Sequence, residues 1–200
     1  MNATNTSNEI SVWTIRGSDG EPIVGNAHIP RGRPKGVIVI AHGFKGYKEY
    51  GMFPALARSA TAAGFISHRF NFSHSGMTND IATFARPDLF ERDTWSRQVF
   101  DLRAVLRAMQ TGVVAGGDLP IVIVGHSRGG VTALLTVGRM DWSVDLHRPA
   151  GVMTLAAPSS CTSLDKATED QLLAEGRLAS PSSRTGQVLH IGAAWLQEQR

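Results

Sequence analysis

The sequence feature that most constrains the fold is an apolar run, Leu119 to Val124, followed by Gly-His-Ser-Arg-Gly-Gly over residues 125–130. The run is rich in β-branched residues, which favours a central parallel strand. The residues after the glycines, Val131 to Val137, predict a helix with small side chains near its start. The pattern therefore predicts a strand, a sharp turn that carries Ser127, and a helix.

The predicted turn gives Ser127 a setting suited to chemistry. Gly125 and Gly129 leave room where larger side chains would collide with the strand and the helix, and the turn holds the serine backbone in a strained conformation. The strain lifts the Ser127 hydroxyl clear of the sheet. The helix that begins there points backbone N–H groups at the same place, where they can stabilise negative charge. The alternative is an ordinary strand-to-helix turn in which Ser127 is the helix N-cap.

A second apolar run, Lys35 to Ala41, ends in His42-Gly43-Phe44. Together with the Gly-x-Ser-x-Gly turn, it resembles the α/β hydrolase superfamily, and within it bacterial hydrolases of the dienelactone-hydrolase-like and serine-aminopeptidase-like kind. In that family, one backbone N–H of the oxyanion hole follows the His-Gly turn and the other follows the nucleophile. The resemblance therefore implies that Ser127 is the catalytic nucleophile and that the N–H groups of Phe44 and Arg128 form the oxyanion hole.

The same resemblance implies that Gly125 and Gly129 are the glycines of a nucleophile elbow. It gives His42 two readings, a general base or a structural residue that holds its loop through hydrogen bonds, and the structural reading is favoured. His126 precedes the nucleophile, so we expect the turn to direct its side chain away from Ser127.

The order of elements predicts an α/β fold with a doubly wound, mostly parallel sheet and an antiparallel N-terminal hairpin. The hairpin is expected over Ile10 to Ile15 and Ile23 to Ile29. The resemblance implies the α/β hydrolase fold with its last strands missing. We divide the chain into a disordered lead at 1–9, an α/β hydrolase core at 10–160, and a cap or connector segment at 161–200.

The acid and base of a catalytic triad are not evident. In this fold they follow the serine in the order acid, then histidine, and the family places them after the seventh and eighth strands. After Pro158 we find no apolar strand that ends near Gly-x-x-Asp, so the chain looks truncated at its C-terminus. Asp165 or Asp170 with His190 satisfies the order but not the expected placement. Two other histidines are expected too far from Ser127 to act as its base. His74 lies in the loop after the expected fourth strand, and His147 lies before the expected sixth strand.

The predicted function is that of a serine hydrolase, an esterase or acyl hydrolase by family, acting on a small-molecule ester, thioester or amide through an acyl-enzyme. The alternative is a catalytically incomplete remnant or a non-catalytic small-molecule binding module. No cofactor is expected, and no cluster of cysteine and histidine has the spacing of metal ligands.

The composition of the chain limits the kinds of partner and the cellular compartment that we expect. The net charge is +3 and the arginines are scattered rather than clustered, which argues against a nucleic acid partner. No apolar run approaches the roughly 20 residues of a membrane span. A single cysteine, Cys161, and an N-terminus unlike a signal peptide favour a cytoplasmic protein.

Truncation would leave one strand of the sheet open. The expected sixth strand, Gly151 to Ala156, would lack the neighbour that covers it in the family. An unpaired apolar edge invites pairing with another chain. We therefore expect self-association through the exposed sheet edge, or coverage of that edge by Thr185 to Gln199.

Overall fold

The computed structural model describes residues 9–141, 148–162 and 164–199. Its strands in chain order are β1 (Glu9–Arg16), β2 (Pro22–Ile29), β3 (Val37–Ala41), β4 (Ile66–Asn71), β5 (Ile121–His126), β6 (Gly151–Leu155), β7 (Arg177–Pro181) and β8 (Val188–Gly192). Its helices are α1 (Phe53–Ala62), α2 (Pro87–Glu91), α3 (Trp95–Gln110), α4 (Arg128–Gly138), α5 (Lys166–Glu175) and α6 (Ala194–Gln197). The expected disordered lead, apart from Glu9, and His147 lie outside the described residues.

The main sheet has six strands in the order β1-β2-β4-β3-β5-β6. β1 and β2 form an antiparallel hairpin, and β2 is also antiparallel to β4. The strands β4, β3, β5 and β6 run parallel to one another. This arrangement confirms the predicted fold class. Because β3 and β5 are neighbours with Ala41 opposite Gly125, the loops that follow them leave the same edge of the sheet side by side.

Helices cover both faces of the sheet, and β3 shows this residue by residue. Val37, Val39 and Ala41 belong to the main core, which α3 and α4 complete on one face. Ile38 and Ile40 point the other way and pack with α1. Helix α3 buries an apolar stripe at three- and four-residue spacing, formed by Trp95, Val99, Leu102, Leu106 and Met109. A strand buried on both faces has no polar side, which is why β3 appears in the sequence as a continuous apolar run.

The segment after β6 contains two strands that the sequence analysis missed. β7 and β8 pair antiparallel in a separate two-stranded sheet. β7 has the sequence Arg-Leu-Ala-Ser-Pro, which is short and lacks a β-branched run, so no pattern predicted it. Pairing with β8 and burial of Leu189 hold it in place, since Leu189 joins a buried cluster with aromatic residues of the core. The same segment also contains helix α5.

β6 forms the edge of the main sheet among the described strands. Met153, at its centre, is 54% exposed. β8 pairs with β7 rather than with β6, so the expectation that Thr185 to Gln199 covers this edge is wrong for strand pairing. Their own hydrogen bonding and the burial of Leu189 draw them to a different surface. Self-association through β6 stays a prediction. Within the described ranges, no helix combines the length and apolar character that crossing a bilayer requires.

Candidate active site

Ser127 lies at the turn between β5 and α4 with φ 51° and ψ −122°, a left-handed conformation that favours glycine. Its N–H donates to the carbonyl of Leu155 on β6 at 2.8 Å, and its carbonyl accepts from Gly130 N–H at 2.9 Å. The Ser127 side chain makes no capping hydrogen bond to α4. Ser127 therefore occupies the N-cap position of α4 without capping the helix through its side chain, and the strained backbone expected from the sequence is confirmed.

The glycines on either side of Ser127 are required by the close approach of backbone atoms. A Cβ added at Gly125 would overlap the carbonyl of Gly129 and the Cα of Gly130. A Cβ added at Gly129 would overlap the carbonyl oxygens of Ala41 and His42, at the end of β3. These are backbone atoms of α4 and of the end of β3, and they cannot move aside as side chains can. Any larger residue at either position would therefore force the turn and its neighbours apart.

The turn after β3 lies directly against Ser127. A Cβ added at Gly43 would come within 3.0 Å of the Ser127 Cβ and 3.1 Å of the His126 carbonyl. Phe44 follows Gly43, and its side chain is 40% exposed with its ring 5.3 Å from the Phe90 ring. The residues expected to supply the two N–H groups thus come from two loops in contact at one edge of the sheet.

Arg128 is the first residue of α4, and the first N–H groups of a helix have no partner within it. The N–H groups of Gly130 and Val131 donate to the Ser127 carbonyl. No hydrogen bond of the Arg128 N–H to another described residue is found, so this donor is free to meet a ligand beside Ser127.

His42 is structural, as favoured from the sequence. Its ring is 4% exposed, and its Nδ1 lies 2.9 Å from the Gly43 carbonyl, so Nδ1–H is the donor. Its Nε2 accepts a hydrogen bond from the Phe72 N–H at 3.3 Å. Burial lowers the pKa of His42 to about 4. Both ring nitrogens are occupied, so His42 has no lone pair to offer Ser127 and holds its loop instead.

The other histidines considered as a general base for Ser127 contact other parts of the structure. His74 is fully buried, with its Nδ1 2.9 Å from the Ser73 hydroxyl and its Nε2 3.3 Å from an Asp19 oxygen. His190 lies on β8 opposite Ala179. Within the described residues, no histidine side chain forms a hydrogen bond with Ser127.

The two carboxylates considered as catalytic partners of His190 stabilise helix α5 instead. Asp165 is its N-cap and accepts from the Thr168 N–H at 2.8 Å. Asp170 forms an exposed ion pair with Lys166 one turn away. Such contacts belong to local helix stabilisation, and they give neither carboxylate a role beside an imidazole.

The sequence analysis missed a buried ion pair beside the Ser127 turn. The Arg128 guanidinium lies 3.2 Å from the Asp93 carboxylate, and the two side chains are 9% and 6% exposed. Burial raises the pKa of the Asp93 carboxyl to about 6, against the opposing influence of Arg128. Asp93 precedes α3 and is 35 positions from Arg128 in the chain. The one sequence feature that could have indicated this ion pair is Arg128, a cation directly after Ser127.

The C-terminal segment packs onto the same region. Lys45, next to Phe44, donates to the Pro181 carbonyl on β7 at 2.6 Å. Leu189 of β8 is fully buried among Tyr47, Met77, Phe84 and Phe90. At the far end, the Glu198 carboxylate accepts from the backbone N–H groups of Trp95 and Ser96, at the start of α3. Residues 177–199 therefore contact the Phe44 loop and the start of α3, on either side of the Arg128 side chain.

Solved structures with this fold come from several organisms. A protein of Agrobacterium vitis S4 assigned as a hydrolase has a TM-score of 0.69 and 20% identity over 96% of this chain and 70% of its own. The esterase domain of a Rhodothermus marinus protein has a TM-score of 0.56 and 21% identity, covering 95% of this chain and 67% of its own. Mouse alpha/beta hydrolase domain-containing protein 10 has a TM-score of 0.61 and 16% identity, covering 94% and 68%.

This chain spans between 47% and 70% of the length of eight such structures. None of the curated protein sequences matches it. The sequence profile of the alpha/beta hydrolase family matches residues 38–199, from β3 to the end of the described chain. The match includes the His-Gly turn, the strained serine and its helix, and the hairpin that packs beside them. The chain therefore belongs to the alpha/beta hydrolase family.

Proposed function

We propose that this chain carries a serine hydrolase site, which transfers an acyl group from an ester, thioester or amide to water through an acyl-enzyme at Ser127. The observation that carries the proposal is the Ser127 backbone, held at φ 51° and ψ −122° against the Gly43 turn. Strain of this kind persists only where the surrounding structure enforces it, and it clusters at active sites. The esterase domain among the similar structures supports an ester as the first substrate to test.

The proposed chemistry assigns each group a role. The Ser127 hydroxyl oxygen attacks the carbonyl carbon while its proton passes to a general base, and the carbonyl oxygen becomes an oxyanion. The backbone N–H groups of Phe44 and Arg128 donate to that oxyanion. Collapse of the tetrahedral intermediate expels the leaving group, which takes up the proton. Water then attacks the acyl-enzyme in the same way and frees Ser127.

The general base is the part that this chain does not evidently supply. No histidine among the described residues contacts Ser127, and the family's acid and histidine are expected after strands that follow β6. An oxyanion hole and binding without a full triad still accelerate hydrolysis roughly 10³–10⁴-fold over water. We therefore expect feeble turnover. The lack of a histidine contact also favours the alternative, a catalytically incomplete remnant or a small-molecule binding module.

Rescue by an external base separates the two functions. Hydrolysis of p-nitrophenyl acetate is measured with and without added imidazole, for the wild-type chain and for Ser127→Ala. Imidazole also cleaves the ester in free solution, and Ser127→Ala corrects for that background. The hydrolase proposal predicts a small difference between the two proteins without imidazole and a difference that grows with imidazole concentration. Equal rates at every imidazole concentration would favour the binding module.

A further variant tests our rejection of His190 as the base. If the wild-type chain turns over efficiently without imidazole, and both Ser127→Ala and His190→Ala abolish that activity, then His190 is the base after all. We expect His190→Ala to leave the weak activity unchanged.

The cytoplasmic location stays a prediction drawn from the single cysteine and the character of the N-terminus.

A further inference from the structure

The Arg128 side chain lies over two aromatic rings, one at the start of α3 and one in the Phe44 loop. Its guanidinium carbon lies 4.8 Å from the centre of the Trp95 ring and 5.8 Å from the centre of the Phe44 ring. Phe44 and Arg128 are also the two residues whose backbone N–H groups are proposed to meet the oxyanion. One side chain therefore links the two donors of the site, since it belongs to one and stacks on the other.

Asp93 is the ionic partner of that guanidinium. Its Oδ2 lies 3.2 Å from the Arg128 Nη2 and accepts a hydrogen bond from the Gln98 amide at 2.6 Å. The Gln98 carbonyl oxygen in turn accepts from the Thr132 hydroxyl at 2.7 Å. Gln98 lies on α3 and Thr132 on α4, so the carboxylate is held by the two helices that pack beneath the turn.

This arrangement is poorly suited to stabilising the fold. Asp93 Oδ1 and the Arg128 Nε and Nη2 atoms are buried without a hydrogen-bond partner among the described residues, so the two side chains are joined by an ion pair without a hydrogen bond. Buried ion pairs seldom outweigh the cost of removing both charges from water, and unpaired polar atoms add to that cost. An apolar pair of similar volume would serve stability at least as well. The placement of the pair beside Ser127 offers a different reason for its presence.

We propose that Asp93 is a positioning residue, which holds the Arg128 side chain against Phe44 and thereby fixes the spacing of the two oxyanion-hole N–H groups. This inference rests on the proposed function. Preorganised donors matter most when the oxyanion has formed, because they then need no rearrangement. Loss of Asp93 should therefore weaken binding of a tetrahedral adduct, in addition to the stability lost when the buried Arg128 charge is left without its partner.

Phenylboronic acid is the probe, because boron forms a tetrahedral adduct with a serine oxygen and places an oxygen where the oxyanion would lie. Its dissociation constant is measured for the wild-type chain and for Ser127→Ala, and the ratio gives the gain due to the adduct. Asp93→Asn keeps the shape and removes the charge. Misplacement of reacting groups by about 1 Å costs roughly 10²-fold, so we expect this variant to bind the boronate 10- to 100-fold more weakly.

Asp101→Asn is the matched control. Asp101 is also a buried carboxylate on α3, but it accepts the Ser18 and Ser73 N–H groups, both at 2.7 Å, away from Arg128. It should lower stability and leave the boronate affinity within about twofold of wild type. Arg128→Lys is the second variant if Asp93→Asn does not fold. It keeps the charge but loses the planar fork and the stacking, and should weaken boronate binding similarly.

A second measurement keeps the two proposals apart. If wild type binds the boronate no better than Ser127→Ala does, the hydrolase proposal fails in the wild-type chain itself. The positioning role is then judged from the amide NMR signals of Phe44 and Arg128. Asp93→Asn should shift both signals, whereas Asp101→Asn should leave both in place. If Asp93→Asn matches Asp101→Asn in boronate affinity and in these two amide signals, Asp93 has no positioning role.

Discussion

Replacing Ser127 by glycine should stabilise the fold even though it removes the proposed nucleophile. With φ 51° and ψ −122°, Ser127 has a backbone conformation that glycine adopts readily and other residues do not. Holding a non-glycine residue in such a region costs about 1–3 kcal/mol. Alanine keeps the Cβ and hence the strain. Ser127→Ala should therefore remain close to wild type in stability, while Ser127→Gly releases the strain.

The expected gain is the strain released less the cost of the greater freedom of glycine in the unfolded chain. That cost is about 0.5–1 kcal/mol, and Ser127 is only half-buried. Ser127→Gly should thus be more stable than Ser127→Ala by about 1 kcal/mol. In a domain of this size, that corresponds to a rise in melting temperature of about 2–4 °C.

The assay compares urea and thermal unfolding of Ser127→Gly and Ser127→Ala with the same pair of substitutions at Ser59. Ser59 is an exposed position within α1, where glycine should be less stable than alanine by about 1 kcal/mol. The preference should reverse in sign between the two sites. If glycine is the less stable choice at both, the Ser127 backbone is not strained, and the main argument for its catalytic role is lost.

Three further outcomes follow from the structure. Gly129→Ala should destabilise the fold by about 1–3 kcal/mol in urea unfolding, because its Cβ would overlap the carbonyls of Ala41 and His42; a change below about 0.5 kcal/mol would contradict the packing. Burial raises the pKa of Asp101 from 3.8 to about 6, so its protonation favours the folded state below about pH 4, and this contribution is lost as the pH rises through about 6. The stability of wild type relative to Asp101→Asn should accordingly fall by about 3 kcal/mol from pH 4 to pH 7, and a difference independent of pH would refute the shift. Met153→Lys, on the open edge strand, should reduce self-association in light scattering without lowering stability, and a wild-type chain that is already a monodisperse monomer would refute the edge argument.

Local patterns in the sequence predicted most of the sheet and the turn at Ser127. The run from Leu119 to Val124 can be buried only as a strand between neighbours, and Gly125 and Gly129 allow the sharp turn that follows. The backbone strain at Ser127 could be predicted because such strain depends on a few adjacent residues. The structural role of His42 was also foreseen, since its place at the end of a buried strand leaves its ring among backbone groups.

The tertiary structure alone decided which distant residues meet. Nothing in the sequence joins Asp93 to Arg128, because their contact depends on how α3 and α4 pack against each other. The pairing of β7 with β8 could not be predicted from the sequence either. β7 is a five-residue segment ending in Pro181 and has little strand propensity. It pairs with β8, which is held in place by the burial of Leu189. Local sequence thus determined the backbone of the site, whereas its charged surroundings depended on packing between elements far apart in the chain.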